Sequence, residues 1–131
     1  MGSCSLVGMN DSRVPPGWPA KVLPAGAAGW EDTATEWLLD QCPADHRGQP
    51  IWRRQPIALA WIARHHVQAQ VEAMRTCYRT ARVGLSEHIG PDSMPQVLTA
   101  LEAEGLRLRA VARATELVED ALRGKTYVPR L

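Results

Sequence analysis

Between Val67 and Leu85, apolar or small side chains return at Val67, Val71, Met74, Tyr78, Ala81 and Leu85, in alternating steps of four and three. Steps of that size put all six on one stripe of an α-helix, whereas a strand would need a step of two. Arg64, Gln68, Arg75, Arg79, Arg82 and Ser86 fall on the other side. Pro56 stands in the first turn, where its missing N–H would have had no helical acceptor, and Gly90-Pro91 stops the run. The pattern predicts one helix from Pro56 to His88, on the order of 50 Å long, which needs an equally long partner to cover its seam.

That partner is read in Ser93 to Arg123. Ser93 with Gln96 three residues on reads as a capping box, Pro95 stays in the tolerant first turn, and Gly124 closes the C-terminal end. The main seam is Val97, Leu101, Leu108, Val111, Val118 and Leu122, interrupted by Glu104 and Thr115. Each long segment carries a second, smaller seam. On the first it is Leu59, Ala63, His66, Gln70, Ala73, Cys77 and Gly84; on the second it is Ala103, Leu106, Ala110, Ala114, Leu117 and Ala121. Two seams on a helix call for two neighbours. Gly105 costs about 1 kcal/mol relative to Ala inside a helix and marks a close crossing or a bend.

Trp30 to Gln41 is a shorter amphipathic helix, with Trp30, Ala34, Trp37 and Leu38 on one side, acids in its first turn and Pro43 as its stop. Asp45 to Pro50 is turn chemistry, and Ile51-Trp52 anchors that loop on the core. Residues 1–29 are rich in Pro, Gly, Ala and Ser, with breakers at Pro15-Pro16-Gly17 and Pro24-Ala25-Gly26, and keep neither helical nor strand period. They are expected to form a flexible arm ahead of one helical domain, 30–131. The fold class is therefore all-α. A long antiparallel hairpin carries the short helix across its open end, and pairing of two hairpins through the second seams completes a four-helix bundle.

At 131 residues and 45% hydrophobic content the chain can bury a core without staples. Its three cysteines, Cys4, Cys42 and Cys77, are scattered and form no C-x-x-C pair, which fits reduced thiols. The longest apolar run, Ile57 to Ala63, is too short to span a bilayer, and the N-terminus lacks a basic start followed by an apolar block. A cytoplasmic protein with no membrane association is the expectation. The net charge of +1 hides a segregation: acids from Trp30 to Cys42, seven arginines against two acids from Pro43 to Ser86, and seven acids against three arginines from Glu87 to Leu122. Such blocks can neutralise one another inside a fold.

Motifs for catalysis are missing from the sequence. His65 and His66 are adjacent, so on a helix they point about 100° apart, and no strong ligand follows at three or four residues. Cys77 shares a seam with His66 but stands three turns away, too far for direct proton transfer. Neither a nucleophile elbow nor a phosphate-cradling glycine loop occurs. No catalytic residue, cofactor or metal is assigned, and the protein is expected not to be an enzyme.

The remaining candidates are surfaces. Arg64, Arg75, Arg79 and Arg82 could follow a phosphate backbone, although the sequence pI of 7.8 is low for a nucleic-acid binder. Trp30, Trp37, Trp52 and Trp61, joined by Tyr127, could line a ligand pocket at one end of the hairpin, although capping the core is the commoner role of such residues. Ala73, Cys77, Ala103, Leu106, Ala110 and Ala114 form a small-residue strip suited to a second copy or another helical protein.

The phrases Val22-Leu23-Pro24-Ala25-Gly26, Gly29-Trp30-Glu31, Trp37-Leu38-Leu39-Asp40 and Trp52-Arg53-Arg54-Gln55-Pro56, with the ending Ala121-Leu122-Arg123-Gly124-Lys125 and Val128-Pro129-Arg130-Leu131, carry a resemblance. They resemble a group of small helical proteins of Streptomyces-type actinobacteria with no known activity. The resemblance implies a bacterial, cytoplasmic setting and transfers no functional residue. The expected function is a non-enzymatic helical interaction or adaptor module. A nucleic-acid-associated regulator using the arginine stripe is the alternative, and a small-molecule sensor or enzyme with a Trp-lined pocket is the third.

Overall fold

The alternating seam does form a single long helix. The computed structural model describes residues 14–129 and contains four α-helices: α1 Trp30–Asp40, α2 Pro50–Arg54, α3 Pro56–Leu85 and α4 Met94–Leu122. A 3-10 turn, Ala44–Gly48, links α1 to α2, and no strand occurs among the described residues. Helices α3 and α4 pack against each other along their length as an antiparallel hairpin, and α1 lies across them, chiefly on α3.

The helix ends obey local chemistry. Pro50, Pro56 and Pro95 each stand in a first turn. Helix α3 stops at Leu85, three residues before the expected His88, and its last carbonyl accepts from the N–H groups of His88 and Ile89 in the turn that follows. Ser93 is the N-cap of α4, but its hydroxyl makes no capping bond, and Gln96 donates instead to the Asp92 carbonyl. The C-terminal end matches expectation closely. Gly124 adopts a φ of 93°, its N–H bonds to the Ala121 carbonyl, and the Lys125 N–H reaches the Asp120 carbonyl, a Schellman closure that only a residue at ease with positive φ provides.

The core is concentrated at one end. Leu59, Ala60 and Ala63 of α3, Val118 of α4 and Ala34, Leu38 and Leu39 of α1 are buried together, with Trp37, Trp52 and Leu122 packed around them. A second cluster of Val67, Val71, Leu108 and Ala112 continues along the hairpin, joined by Met74 and Val111. Nearer the α3–α4 turn the seam thins, and only Ala81 and Leu98 are buried there. The two polar interruptions of the α4 seam are accommodated differently. Thr115 is fully buried and donates its hydroxyl proton to the Ala112 carbonyl, whereas half-buried Glu104 pairs with Arg107 one turn on.

The arm read for residues 1–29 needs correction over 14–29, which belong to the packed structure. Val22 is a core residue, the Trp18 indole donates to its carbonyl, and the Leu23 N–H bonds to the Thr33 hydroxyl of α1. Gly17, at a φ of 96°, lies close enough to Arg113 and Leu117 that an added Cβ would come within 3.2 Å of one and 3.5 Å of the other. Turns at Pro15, Pro19 and Pro24 fold this segment locally, so it needed no helical or strand period to pack. The rest of the expected arm, residues 1–13, lies outside the described residues.

Between α1 and α2, the 3-10 turn is held by charge. Arg47 pairs with Glu36 and Asp40, and Arg53 pairs with the other Glu36 oxygen. Hydrogen bonds from Arg53 and then Arg47 hold the Glu36 carboxyl below its ordinary pKa. Trp52 stacks on His46 with ring centroids 5.0 Å apart, which anchors the loop as the sequence suggested, while its neighbour Ile51 stays exposed.

The distribution of the core sets a clear expectation for stability. Leu59→Ala, which empties a fully buried position between α1 and α3, should cost about 2–5 kcal/mol in urea unfolding. Leu106→Ala on exposed α4 surface should change stability by less than about 0.5 kcal/mol. Equal effects would mean that the core does not lie where the packing puts it.

Candidate docking surface

Lengths decide what is covered. At 1.5 Å per residue, α1 spans about 16 Å and α3 about 45 Å, so α1 shields only one end of the hairpin. Leu59 and Ala63 lie under it, and the depression at its C-terminal end is lined by Asp40 and Cys42 with His66, Gln70 and Arg107. Beyond that point both flanks of the hairpin are open.

The expected small-residue strip divides in the structure. On α3, rotation by 100° per residue puts Ala73 and Cys77 on the same flank as His66 and Gln70, above the end of α1, and both are exposed. Ala103 and Ala110 of α4, each one turn from Arg107 and also from Leu106, are exposed on the outer face of the helix. Ala114 belongs to the covered end and is buried. Leu106, one turn from both Ala103 and Ala110, stands where the two flanks meet. It is 61% exposed and lines a groove on the opposite flank.

That opposite groove joins two hollows, of about 420 and 620 Å³, that meet at Tyr78. Val71, Met74, Tyr78, Leu101 and Leu106 line the first, and Ile89, Met94 and Leu98 the second. Gly105 contributes no side chain to this wall, and a Cβ there would meet only the Met74 Cβ at 4.0 Å. The close crossing expected at Gly105 is thus an ordinary contact beside an open groove. Tyr78, a member of the α3 seam, remains 42% exposed because little on α4 covers it.

The arginines read as one stripe play two roles. Arg64 donates from Nε to Glu119 Oε1 at 2.6 Å, and Arg123 donates from its Nε to Glu119 Oε2 at 3.0 Å, so the buried carboxylate is held between two cations. Arg64 is thereby committed to the hairpin. Arg75 pairs with Glu72 on its own helix, and Arg79 reaches the Thr76 hydroxyl at 3.3 Å. Arg79, Arg82 and Arg109 make no ion pair among the described residues. Arg109, across the groove on α4, was not among the residues singled out from sequence; its spacing from Leu101 and Gly105 along one face was the available signal.

The other candidates find places apart from this groove. His65 meets Trp61 edge-on at 4.7 Å, whereas His66 faces His46 at 5.7 Å, so the two histidines diverge as their adjacency requires. The His46 Nδ1 is buried without a partner. No cluster of three or more metal-ligating side chains occurs among the described residues. Burial pushes the Cys42 thiol up, away from the reactive thiolate, and Cys77 stands exposed on α3. The four tryptophans do not assemble as one cluster. Trp30 packs with Trp18 at 6.1 Å and lines, with Leu117 and Tyr127, a cleft of about 890 Å³ beside the end of α4. Trp37 and Trp52 support the core, and Trp61 stays half exposed.

No described helix is long and apolar enough to cross a membrane. Comparison with protein-family models, with curated proteins and with solved structures finds no match.

The division among the arginines can be measured. Arg64→Ala leaves buried Glu119 with one cation and should cost about 1–3 kcal/mol in urea unfolding, since Arg64 and Arg123 remain partly hydrated. Arg79→Ala and Arg82→Ala should stay within about 0.5 kcal/mol of the parent. A neutral Arg64→Ala would remove the structural role assigned to it.

Proposed function

We propose that the protein is a non-enzymatic helical interaction module. One end of its hairpin is a self-sufficient scaffold and the other presents helix faces to partners. The observation that carries this reading is the length mismatch: α1 ends near His66 and Gln70, and Ala73, Cys77, Ala103 and Ala110 are left exposed on the flank beyond it. Small side chains allow helix backbones to approach closely, and a second hairpin is the simplest object that fits such a flank. Two copies related by a two-fold axis would then complete a four-helix bundle. This pairing would centre on Ala73, Cys77, Ala103 and Ala110, since Leu106 also lines the groove and Ala114 is buried.

The nucleic-acid alternative has weaker support, since Arg64 is engaged with Glu119 and Arg75 with Glu72, leaving Arg79 and Arg82 of the original four. The Trp18–Trp30 cleft gives the small-molecule reading a location. Its ionisable lining includes Asp120 and Lys125, which face each other at 3.6 Å.

Sedimentation equilibrium at micromolar concentration tests the pairing. The parent protein should show twice the 14.4 kDa chain mass, and Ala73→Glu with Ala103→Glu should return it to the single-chain mass with helicity unchanged by circular dichroism. A parent at single-chain mass, or a dimer indifferent to both substitutions, rules out this interface.

A further inference from the structure

The groove on the flank opposite Ala73 and Cys77 has two features that together specify an occupant. Its floor is apolar: Tyr78 and Leu106 are exposed, Met74 and Leu101 in the first hollow and Ile89 and Met94 in the second are half-buried, and Leu98 closes the bottom. Its edges are basic. Arg75, Arg79 and Arg82 stand along α3 and Arg109 faces them from α4; among the acids, Glu72 is paired with Arg75, Glu102 lies on the α4 wall, and Glu87 and Asp92 stand by the turn at the far end. Three of the four arginines make no carboxylate pair among the described residues.

We propose that this groove receives an acidic amphipathic helix from a partner protein, its apolar stripe on Tyr78, Met74 and Leu106 and its carboxylates against Arg79, Arg82 and Arg109. Along α3 from Val71 to Leu85 the groove runs about 21 Å, the length of a helix of about 14 residues, before the turn residues close its end. An apolar stripe lying between charged margins is the usual geometry of helix-in-groove recognition. Free carboxylates on the incoming helix meet free guanidinium groups, so the charge favours association and rejects a basic helix of the same shape. Helix α1 shows the apolar half of such docking on the covered end, while its acids are met by the connecting segment rather than by the hairpin. Helix α1 buries Ala34, Leu38 and Leu39 against the hairpin while Glu36 and Asp40 pair with Arg47 and Arg53 beside it. A nucleic acid would use the arginines but leave the apolar floor uncovered, which makes it the less complete match.

The inference rests on the interaction-module reading, but it uses the flank opposite the one assigned to self-pairing. The test is titration of the full-length protein into a fluorescent, side-chain-stapled helix of about 14 residues with leucines at steps of three and four and glutamates on both margins. A lysine-margined version, a scrambled version and a short DNA duplex serve as competing probes. The acidic helix should bind more tightly than the other three. The Arg79→Glu, Arg82→Glu, Arg109→Glu triple variant should weaken it at least about tenfold and improve the lysine-margined helix. Leu106→Ser, which changes no charge, should weaken both. Equal binding of acidic and scrambled helices, indifference to the triple variant, or stronger binding of the DNA at physiological salt would overturn the inference. Sedimentation of the same samples separates the two claims: failed helix binding with an intact dimer defeats only the groove, and helix binding to a single-chain-mass protein defeats only the self-pairing.

Discussion

The seam between α3 and α4 is the contact on which everything else in this protein depends, because neither helix alone has a second layer to bury its apolar stripe. Val67, Val71, Leu108 and Ala112 close that seam in the middle, and Leu59 and Val118 close it at the end where α1 adds its own leucines. Helices of 30 and 29 residues gain their stability from this packing rather than from isolated helix propensity. The N-terminal segment and α1 then act locally. They thicken one end of a two-helix layer into a core and leave the other end as a layer of two.

Charge follows the same division. At the covered end two carboxylates are each held by two cations: Glu119 sits between Arg64 and Arg123, and Glu36 between Arg47 and Arg53. Toward the α3–α4 turn, Arg79, Arg82 and Arg109 face solvent with no carboxylate partner among the described residues. Exposed arginines contribute little to stability, and their placement beside apolar surface is what the proposed recognition role rests on. The near-neutral total charge conceals this because acids in α1 and along α4 offset the arginines in the sum.

Much of this was legible in the sequence wherever a repeat or a cap encoded it. The steps of four and three gave both long helices, and Gly124 gave the C-terminal closure through the one backbone conformation it alone adopts cheaply. The packing of residues 14–29 was hidden because Trp18 and Val22 are held by turns and by single side-chain bonds, which leave no period. The short helix α2 was hidden by its length and by the turn residues before it. At the site, exposure of Ala73, Cys77, Ala103 and Ala110 followed from counting faces, whereas the sorting of Leu106 onto the other flank depended on how the two helices are rotated against each other. Arg64 was grouped with Arg79 by spacing along α3, yet its role is set by Glu119, 55 residues away.

Native-state hydrogen exchange, read by mass spectrometry on the intact protein, tests the central claim of a cored end and an uncovered end. The slowest amides should lie around Leu59–Val67 of α3 and Ala112–Val118 of α4. Those of α3 after Tyr78 and α4 before Leu101 should exchange more than about tenfold faster, since local opening there exposes little buried apolar surface. Uniform protection along both helices would contradict the account, because it would mean that the far end of the hairpin is as firmly packed as the end that α1 covers.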